Sequence, residues 1–435
     1  MTHTFYMLSL GCPKNRVDSE LIWAAAATRG LVAVDDPAQA EVIVVNTCAF
    51  VQSAVEESLD AIVEMGRFKT SGCCRRLIVA GCLTARYRDS LAAELPEVDL
   101  FVGPAEVGKL GQWLDAAPGG ESVRCQHGQS YLADSSVPRV NSLASGAAYL
   151  KVAEGCSRHC SFCVIPSLRG PQQSRPLDDL VMEAENLIEL GVREIVLVAQ
   201  DLAAWGGDLP GRPELAELVA ALAAVGGLRW LRLMYLFPTE IPERLIEVIS
   251  GTPHVLPYLD IPVQHADRGV LARMRRGGDP ATMVALIERL RRDVAGVVLR
   301  TTLMTGFPGE DESAYRRLVE FVEQCRIERL GVFAFSAEEG SPAAEMDGKV
   351  PAELAEARRQ ELLDIQRGIA SDYHESLIGR EIEVLVEDLG VGRAWNQAPE
   401  VDGKTVIHGR AEPGRIVRAV VKKAGVYDLE VDVSE

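Results

Sequence analysis

The feature of the sequence that most restricts its fold is a pattern that occurs three times near the N-terminus. Each copy is an apolar, β-rich run followed by a short turn, and the copies end in Cys12, Cys48 and Cys82. Helical patterns over residues 19–28 and 53–64 lie between them, so the order βαβαβ predicts a doubly wound parallel α/β sheet. Because the carboxyl ends of parallel strands meet at one edge of a sheet, we expect the three thiols to lie close together.

A second alternating series of apolar runs and helical stretches lies between residues 147 and 335. Its six βα units predict a partial TIM-like (β/α)6 barrel with an active site at the carboxyl ends of the strands. The predicted strands cover 147–152, 194–199, 230–235, 258–263, 296–304 and 330–335, and the predicted helices cover 177–190, 213–224, 280–293 and 310–325. A charged helix over 351–375 follows the series.

The final segment changes character again. Short alternating runs over 382–386, 405–408, 416–422 and 426–433, divided by Gly and Pro, predict a small antiparallel β-barrel. Residues 123–146 lack periodicity, as is typical of a linker. The sequence therefore predicts an N-terminal α/β domain over 1–122, a linker over 123–146, a central barrel domain over 147–375 and a C-terminal barrel over 376–435.

The densest chemical signal is a C-x3-C-x2-C array, Cys156, Cys160 and Cys163, directly after the first predicted barrel strand. Three thiolates at this spacing can hold three irons of a 4Fe-4S cluster and leave the fourth iron open. S-adenosylmethionine (SAM) can chelate an open iron, and its one-electron cleavage yields a radical that takes hydrogen from an unactivated C–H bond. The alternative is a zinc site, although zinc usually takes four ligands and C-x2-C pairs.

The cysteines Cys12, Cys48 and Cys82 have matching positions at three strand ends, which favours a second three-cysteine cluster that carries sulfur. Alternatively, they are buried small hydrophobic residues. The chain has ten cysteines and a secretion signal is not expected, so thiols or metal ligands are expected rather than disulfides. The other four show no matching placement and are interpreted as non-ligands; they are Cys73, Cys74, Cys125 and Cys325.

The order of a three-cysteine α/β domain, a radical SAM barrel and a small β-barrel resembles the radical SAM methylthiotransferases over essentially the whole chain. The resemblance is carried by residues 10–15 (LGCPKN), 45–48 (VNTC), 165–170 (IPSLRG), 300–310 (RTTLMTGFPGE) and 397–403 (QAPEVDG). It implies methylthiotransferase, radical SAM and TRAM domains, two 4Fe-4S clusters and two roles for SAM, as methyl donor and as radical source. The implied reaction converts C–H to C–SCH3.

Further residues at the predicted strand ends are expected to bind the cofactor. Gln200 and Asp201 end the second barrel strand, where polar groups at the rim are usually functional. The whole expected cofactor-binding set is Phe162, Gln200, Asp201, Arg300, Gly306 and Phe335. For Phe162 and Gly306 the alternatives are a hydrophobic prop and a plain strand-to-helix turn. Arg169, after the cysteine loop, is either a clamp for a substrate carboxylate or an anchor for that loop.

Charge and motif details indicate which substrate type this chain takes. The net charge is −18, and residues 376–435 hold 8 Lys+Arg against 11 Asp+Glu, a balance of −3. An acidic domain should repel tRNA and attract a basic ribosomal protein, although Arg415, Arg418, Lys422 and Lys423 could still form a basic patch. The residues Pro13 and Lys14 after the first cysteine resemble the type that modifies a ribosomal protein, the RimO type, rather than the tRNA enzymes.

The leading hypothesis is therefore a methylthiotransferase that acts on an aspartate of small-subunit ribosomal protein twelve. It needs a reductant and a sulfur donor as further partners. Alternatives are a tRNA adenosine 2-methylthiotransferase and a non-catalytic iron-sulfur carrier or RNA-binding protein. No apolar stretch reaches the length of a membrane helix, and we expect a cytoplasmic location.

Overall fold

The computed structural model describes residues 3–114, 122–239 and 241–434. The β-strands of the described part form two six-stranded parallel sheets, a two-stranded ribbon and a closed five-stranded barrel. This architecture confirms the predicted fold class. Residues 115–121, at the expected end of the first domain, lie outside the described residues.

The N-terminal sheet has the strand order β2-β1-β3-β4-β5-β6, and all its pairs are parallel. Its strands are β1 (Thr4–Ser9), β2 (Val32–Ala33), β3 (Val42–Thr47), β4 (Arg76–Gly81), β5 (Leu100–Val102) and β6 (Val123–Arg124). Its helices are α1 (Pro13–Thr28), α2 (Gln52–Gly66), α3 (Phe68–Ser71) and α4 (Cys82–Glu94), with 3-10 helices at Pro37–Gln39 and Pro104–Trp113. Strand β3 is buried on both faces, as its continuous apolar sequence requires of a parallel sheet covered by helices.

The central sheet has the order β14-β13-β12-β11-β10-β7 and is an open, six-stranded parallel barrel. The strands of this region are β7 (Ala147–Lys151), β8 (Ala153–Glu154), β9 (Gln173–Ser174), β10 (Glu194–Val198), β11 (Trp230–Leu233), β12 (Val255–Asp260), β13 (Val298–Thr305) and β14 (Arg329–Ala334). The helices are α5 (Ile165–Arg169), α6 (Leu177–Glu189), α7 (Leu215–Ala223), α8 (Glu243–Gly251), α9 (Arg268–Arg273), α10 (Pro280–Asp293), α11 (Glu312–Cys325) and α12 (Ala352–Glu375), with a 3-10 helix at Pro342–Glu345.

Two predicted elements of these domains differ from the structure by three residues or more, and the others agree within two residues. Helix α1 begins at Pro13 rather than at residue 19, because a proline at the first helical position already has a helical φ. Strand β12 lies three residues earlier than the predicted 258–263. Pro262 has no N–H for the ladder, so the chain leaves the sheet before it.

The C-terminal barrel consists of β15 (Glu381–Asp388), β16 (Val391–Ala394), β17 (Thr405–His408), β18 (Ile416–Ala424) and β19 (Leu429–Val433). It closes in the order β15-β16-β17-β19-β18. One pair, β17 with β19, is parallel, in contrast to the antiparallel pairing expected throughout. Strand β16 was not predicted, since its residues Gly392 and Arg393 break the apolar alternation that indicates a strand.

The C-terminal barrel covers the concave face of the open central sheet through buried ion pairs. Glu194, at the start of β10, accepts hydrogen bonds from Arg232 (2.7 Å) and from Arg393 of β16 (2.5 Å). All three side chains are buried. The two guanidinium groups hold the pKa of Glu194 below its usual value, although burial alone would raise it. Within the described residues, no helix is long and apolar enough to cross a membrane.

We expect Arg393→Met to lower the midpoint of thermal unfolding, because it removes one partner of a buried carboxylate. The loss of stability should be about 3 to 5 kcal/mol at neutral pH. Since the Glu194 pKa is lowered in the folded protein, this stabilisation is present above its unfolded pKa and is lost as the pH falls through the folded value. The difference between variant and parent should therefore shrink in acid.

The matched control is Arg359→Met, which breaks a solvent-exposed pair with Glu356 and should change stability by less than about 1 kcal/mol. Differential scanning calorimetry across pH gives both comparisons. Equal shifts of the unfolding midpoint in the two variants would show that the buried pair does not hold the C-terminal barrel against the central sheet.

Candidate functional site

The first cysteine triad lies at the carboxyl edge of the N-terminal sheet. Cys12 precedes α1, Cys48 follows β3 and Cys82 begins α4 after β4, and these strands are neighbours. Gly11 has a φ of +89°, and a Cβ added to it would lie 2.6 Å from the Cys48 Cβ. Only glycine permits this backbone to approach the thiols so closely. Burial and the nearby Cys82 and Cys12 sulfurs raise the pKa of Cys48 to about 12.

The second triad lies in the loop after β8. Cys156 and Cys160 are buried and Cys163 is half-buried. The backbone N–H of Arg158 lies 3.4 Å from the Cys156 Sγ, and that of Ile165 lies 3.5 Å from the Cys163 Sγ. Such N–H groups stabilise thiolates, which are the form that binds iron.

Both triads line one cavity of about 580 Å³ between the N-terminal domain and the carboxyl ends of the barrel strands. The sequence pattern predicted that each triad lies at strand ends, but only the structure brings the two sets to one cavity. The thiols are soft ligands of the kind that iron-sulfur clusters require. Among the described residues, no three Cys, His, Asp or Glu side chains converge on one metal ion. A 4Fe-4S cluster does not need such convergence, because each thiolate binds a different iron.

Four of the six residues expected to bind the cofactor line this cavity. They are Phe162, Gln200, Asp201 and Arg300. The Gln200 amide donates to Glu154, and its Oε1 is buried without a hydrogen-bond partner. An unsatisfied buried acceptor at a cavity fits the amino group of a ligand such as SAM.

Gly306 and Phe335 are not among the residues that line the cavity. A Cβ on Gly306 would lie 2.2 Å from the Ala355 Cβ, so this glycine allows α12 to pack against the turn. The Phe335 ring packs edge-on against Phe307 with 5.3 Å between centroids. Phe333 lines the cavity instead, from within strand β14.

Arg169 is an anchor rather than a free clamp, because each of its three guanidinium nitrogens has a partner. Its Nε donates to the Cys82 Sγ (3.2 Å), and one Nη donates to Glu154 (2.8 Å). The other Nη donates to Asn15 (2.7 Å) and Asp18 (3.1 Å). Arg169 is 2% exposed. A substrate carboxylate would have to displace these buried bonds to reach it.

Lys151 completes this buried charge network. Its Nζ lies 2.5 Å from Asp18 and 2.8 Å from Glu154. The two cations hold the pKa of Glu154 well below its usual value, although burial acts in the opposite direction. With Arg169, the four groups pair two positive with two negative charges and join α1 of the first domain to the cysteine loop of the second.

Further cavity residues were not singled out from the sequence as functional. The Lys14 Nζ lies 3.7 Å from the centre of the Tyr235 ring. Tyr235 and Gln264 have φ values of +66° and +72°, and both line the cavity. Such strained positions in non-glycine residues cluster at functional sites. The available signals were the position of Lys14 two residues after Cys12 and that of Tyr235 just beyond a barrel strand.

Comparisons with known proteins show which families this chain is similar to. Residues 4–103 match the model of "Uncharacterized protein family UPF0004", residues 150–322 the radical SAM superfamily and residues 378–433 the TRAM domain. The protein named ribosomal protein uS12 methylthiotransferase RimO of Anaeromyxobacter sp. (strain K) is 48% identical over 99% of this chain and 93% of that protein. The RimO protein of Myxococcus xanthus is 46% identical over 99% of this chain and 92% of its own.

Solved structures with similar folds are radical SAM enzymes. The methyltransferase TsrM from Kitasatospora setae, bound to tryptophan and a SAM analog, has a TM-score of 0.56 at 15% identity, over 76% of this chain and 73% of that one. The cobalamin-dependent enzyme OxsB has a TM-score of 0.52 at 10% identity, over 84% and 56%. At these identities the likeness supports the fold alone.

We expect Arg169→Met to destabilise the junction of the two domains strongly. The substitution leaves Asp18 and Glu154 with one lysine between them, so a net negative charge stays buried. Removing one partner of such a group costs about 3 to 5 kcal/mol. Thermal unfolding and limited proteolysis of the purified protein measure the loss.

The control is Arg316→Met, which removes an exposed pair with Glu312. Arg169→Lys keeps one charge but loses the fork of donors, and should be intermediate. If Arg169→Met and the control Arg316→Met unfold at the same temperature, the network does not hold the two domains together.

Proposed function

The chain belongs to the RimO family of ribosomal protein uS12 methylthiotransferases, and on that premise we propose that it modifies an aspartate of uS12. The chain is a radical SAM enzyme of the methylthiotransferase type, which uses an iron-sulfur cluster and SAM. The proposed reaction replaces one hydrogen on the aspartate β-carbon by SCH3, giving 3-methylthioaspartate. The observation that carries the proposal is the single cavity lined by both cysteine triads.

Cys156, Cys160 and Cys163 would hold the 4Fe-4S cluster that cleaves SAM and supplies the radical for hydrogen abstraction. The unsatisfied Oε1 of Gln200 would accept the SAM amino group. Phe162 offers an apolar surface at the same wall of the cavity, and Arg158 pairs with Asp201 at 2.6 Å. These groups would hold SAM on the barrel side of the cavity. The roles of Arg300, Gly306 and Phe335 stay predictions.

Cys12, Cys48 and Cys82 would hold a second 4Fe-4S cluster, on which sulfur is delivered. Its place at the same cavity, but on the N-terminal domain rather than on the barrel, supports this division of labour. A target carbon between the walls can lose hydrogen on one side and receive sulfur from the other without leaving the site. Holding both partners in place in this way lowers the entropic part of the barrier.

The surface charge of the C-terminal barrel supports a protein substrate over tRNA. The four cations that could form a basic patch each have a carboxylate partner. Arg415 lies 3.9 Å from Glu412, Arg418 3.7 Å from Glu381, Lys422 3.6 Å from Asp432 and Lys423 3.1 Å from Glu430. A carboxylate beside each of these cations weakens the attraction between the cation and nucleic-acid phosphates. A basic ribosomal protein is attracted by the net charge of −18 instead.

We expect anaerobically reconstituted protein, with SAM, sulfide and a reductant, to add one methylthio group to the target aspartate of uS12. Mass spectrometry of the digested uS12 locates the group, and chromatography measures deoxyadenosine in the same reaction. Unfractionated tRNA replaces uS12 in a parallel reaction. Modified tRNA with unmodified uS12 would establish the tRNA enzyme instead. Intact clusters without deoxyadenosine would point to an iron-sulfur carrier.

We expect two clusters of four irons each, hence about eight irons and eight sulfides per chain. Replacing the first triad by alanine should halve the iron content and abolish methylthiolation, while SAM cleavage persists. Replacing the second triad should halve the iron content and abolish SAM cleavage. Cys73→Ala, which changes an exposed cysteine outside the cavity, is the control and should keep all the iron. Full iron content in either triad variant would contradict the assignment.

A further inference from the structure

Lys14 is a buried cation without an anionic partner at the wall of the reaction cavity. It is the second residue of α1, its exposed fraction is 8%, and it lines the cavity. The Tyr235 ring lies 3.7 Å below its Nζ. Among the described residues, its Nζ makes no hydrogen bond or ion pair with any carboxylate or carbonyl oxygen.

The other buried cations beside the first triad differ in this respect. Lys151 and Arg169 are neutralised by Asp18 and Glu154. Lys14 has no such partner in the part of the chain that the structure describes, and the Cys12 thiol and the Glu154 carboxylate act on its positive charge only from beyond ion-pair distance. Burying an ammonium group without a hydrogen-bonded anion is costly, and a cation–π contact offsets only part of the cost. The site is therefore preorganised for an anionic ligand group that enters the cavity.

The position of Lys14 indicates which anion this is. It lies two residues after Cys12 in the N-terminal domain, which carries the first triad, whereas the cavity residues Gln200 and Arg158 belong to the barrel domain. In an aspartate side chain the carboxylate is bonded directly to the β-carbon. A carboxylate bound to the Nζ therefore brings the reacting carbon next to the first triad.

We propose that Lys14 binds the side-chain carboxylate of the target aspartate and determines the specificity of the enzyme for an acidic side chain. This inference rests on the proposed function and names the recognition element within it. Lys14 is placed as a binding residue, with no proton transferred.

The residues around Tyr235 fix the ring on which the Lys14 ammonium group lies. The Tyr235 backbone has a φ of +66°, and its N–H donates to Asp260 at 3.3 Å. Asp260 is fully buried and pairs with Arg300 at 3.1 Å. The strained residue is thus fixed by a buried carboxylate, and its ring supports the lysine from one side. Lys14 also lines the cavity, so its N–H donors are available to a substrate there.

The test compares the parent enzyme with Lys14→Met, Lys14→Arg and the control Lys109→Met, an exposed lysine of the same domain outside the cavity. Each reconstituted protein is given uS12 and a uS12 variant with asparagine at the target position. Methylthiolated product is measured against uS12 concentration, and deoxyadenosine is measured in the same reactions. Iron content and thermal unfolding verify that each variant is folded and loaded.

We expect Lys14→Met to lower kcat/KM for uS12 roughly 10- to 100-fold, the range for losing a hydrogen bond to a charged group. Deoxyadenosine formation should persist. The parent and Lys109→Met should prefer aspartate over asparagine by a similar factor, and Lys14→Met should lose most of this preference. Lys14→Arg should recover part of it, because the charge is retained in a larger head group.

Two results would overturn the inference while leaving the proposed function intact. One is an unchanged preference for aspartate in folded, loaded Lys14→Met. The other is a parallel loss of deoxyadenosine formation, which would assign Lys14 to SAM. A parent enzyme that cleaves SAM yet modifies neither form of uS12 would instead refute the proposed function, and the inference with it.

Discussion

The buried charge network of Asp18, Lys151, Glu154 and Arg169 is the interaction on which the arrangement of the site depends. It joins a helix of the first domain to the loop that carries the second cysteine triad, and Arg169 also donates to Cys82 of the first triad. Charges buried to this extent are tolerated only with good pairing geometry. The separation of the two triads is therefore set by side chains that cannot shift independently.

This network has consequences for the chemistry because each triad belongs to a separate sheet. Parallel sheets present loops and thiols at their carboxyl edges, and here two such edges face each other across one cavity. A small rotation of one domain would move the sulfur-delivering wall away from the radical-generating wall. In a site built on a single sheet, the sheet itself would keep the two triads in place. Here the buried ion pairs at the junction of the two domains do so.

Local patterns in the sequence predicted the two parallel sheets and the strand-end positions of six cysteines, because hydrophobic periodicity and residue spacing are local properties. They did not predict that Arg169 has hydrogen-bond partners in both domains, or that Lys14 forms no ion pair with a described residue. Those facts depend on contacts between residues over a hundred positions apart, such as Arg169 with Asn15. The predicted bounds of β12 were wrong for a local reason. The apolar run of the sequence continues through Pro262, whereas the pairing of the strand with its neighbours stops before it.

The C-terminal barrel contributes to the site indirectly. A six-stranded open sheet leaves a concave face that a complete eight-stranded barrel would fill with its own side chains. Here residues 395–402 and β16 fill it, with the Tyr258 hydroxyl donating to Asp402 at 2.7 Å and the Tyr149 hydroxyl to Glu400 at 3.0 Å. Glu400 also pairs with Arg16 of α1, two residues beyond Lys14. The C-terminal barrel therefore fixes helix α1, which carries Lys14. The inner face of this barrel thus maintains the geometry of the site, and only its outer face is available to a macromolecular substrate.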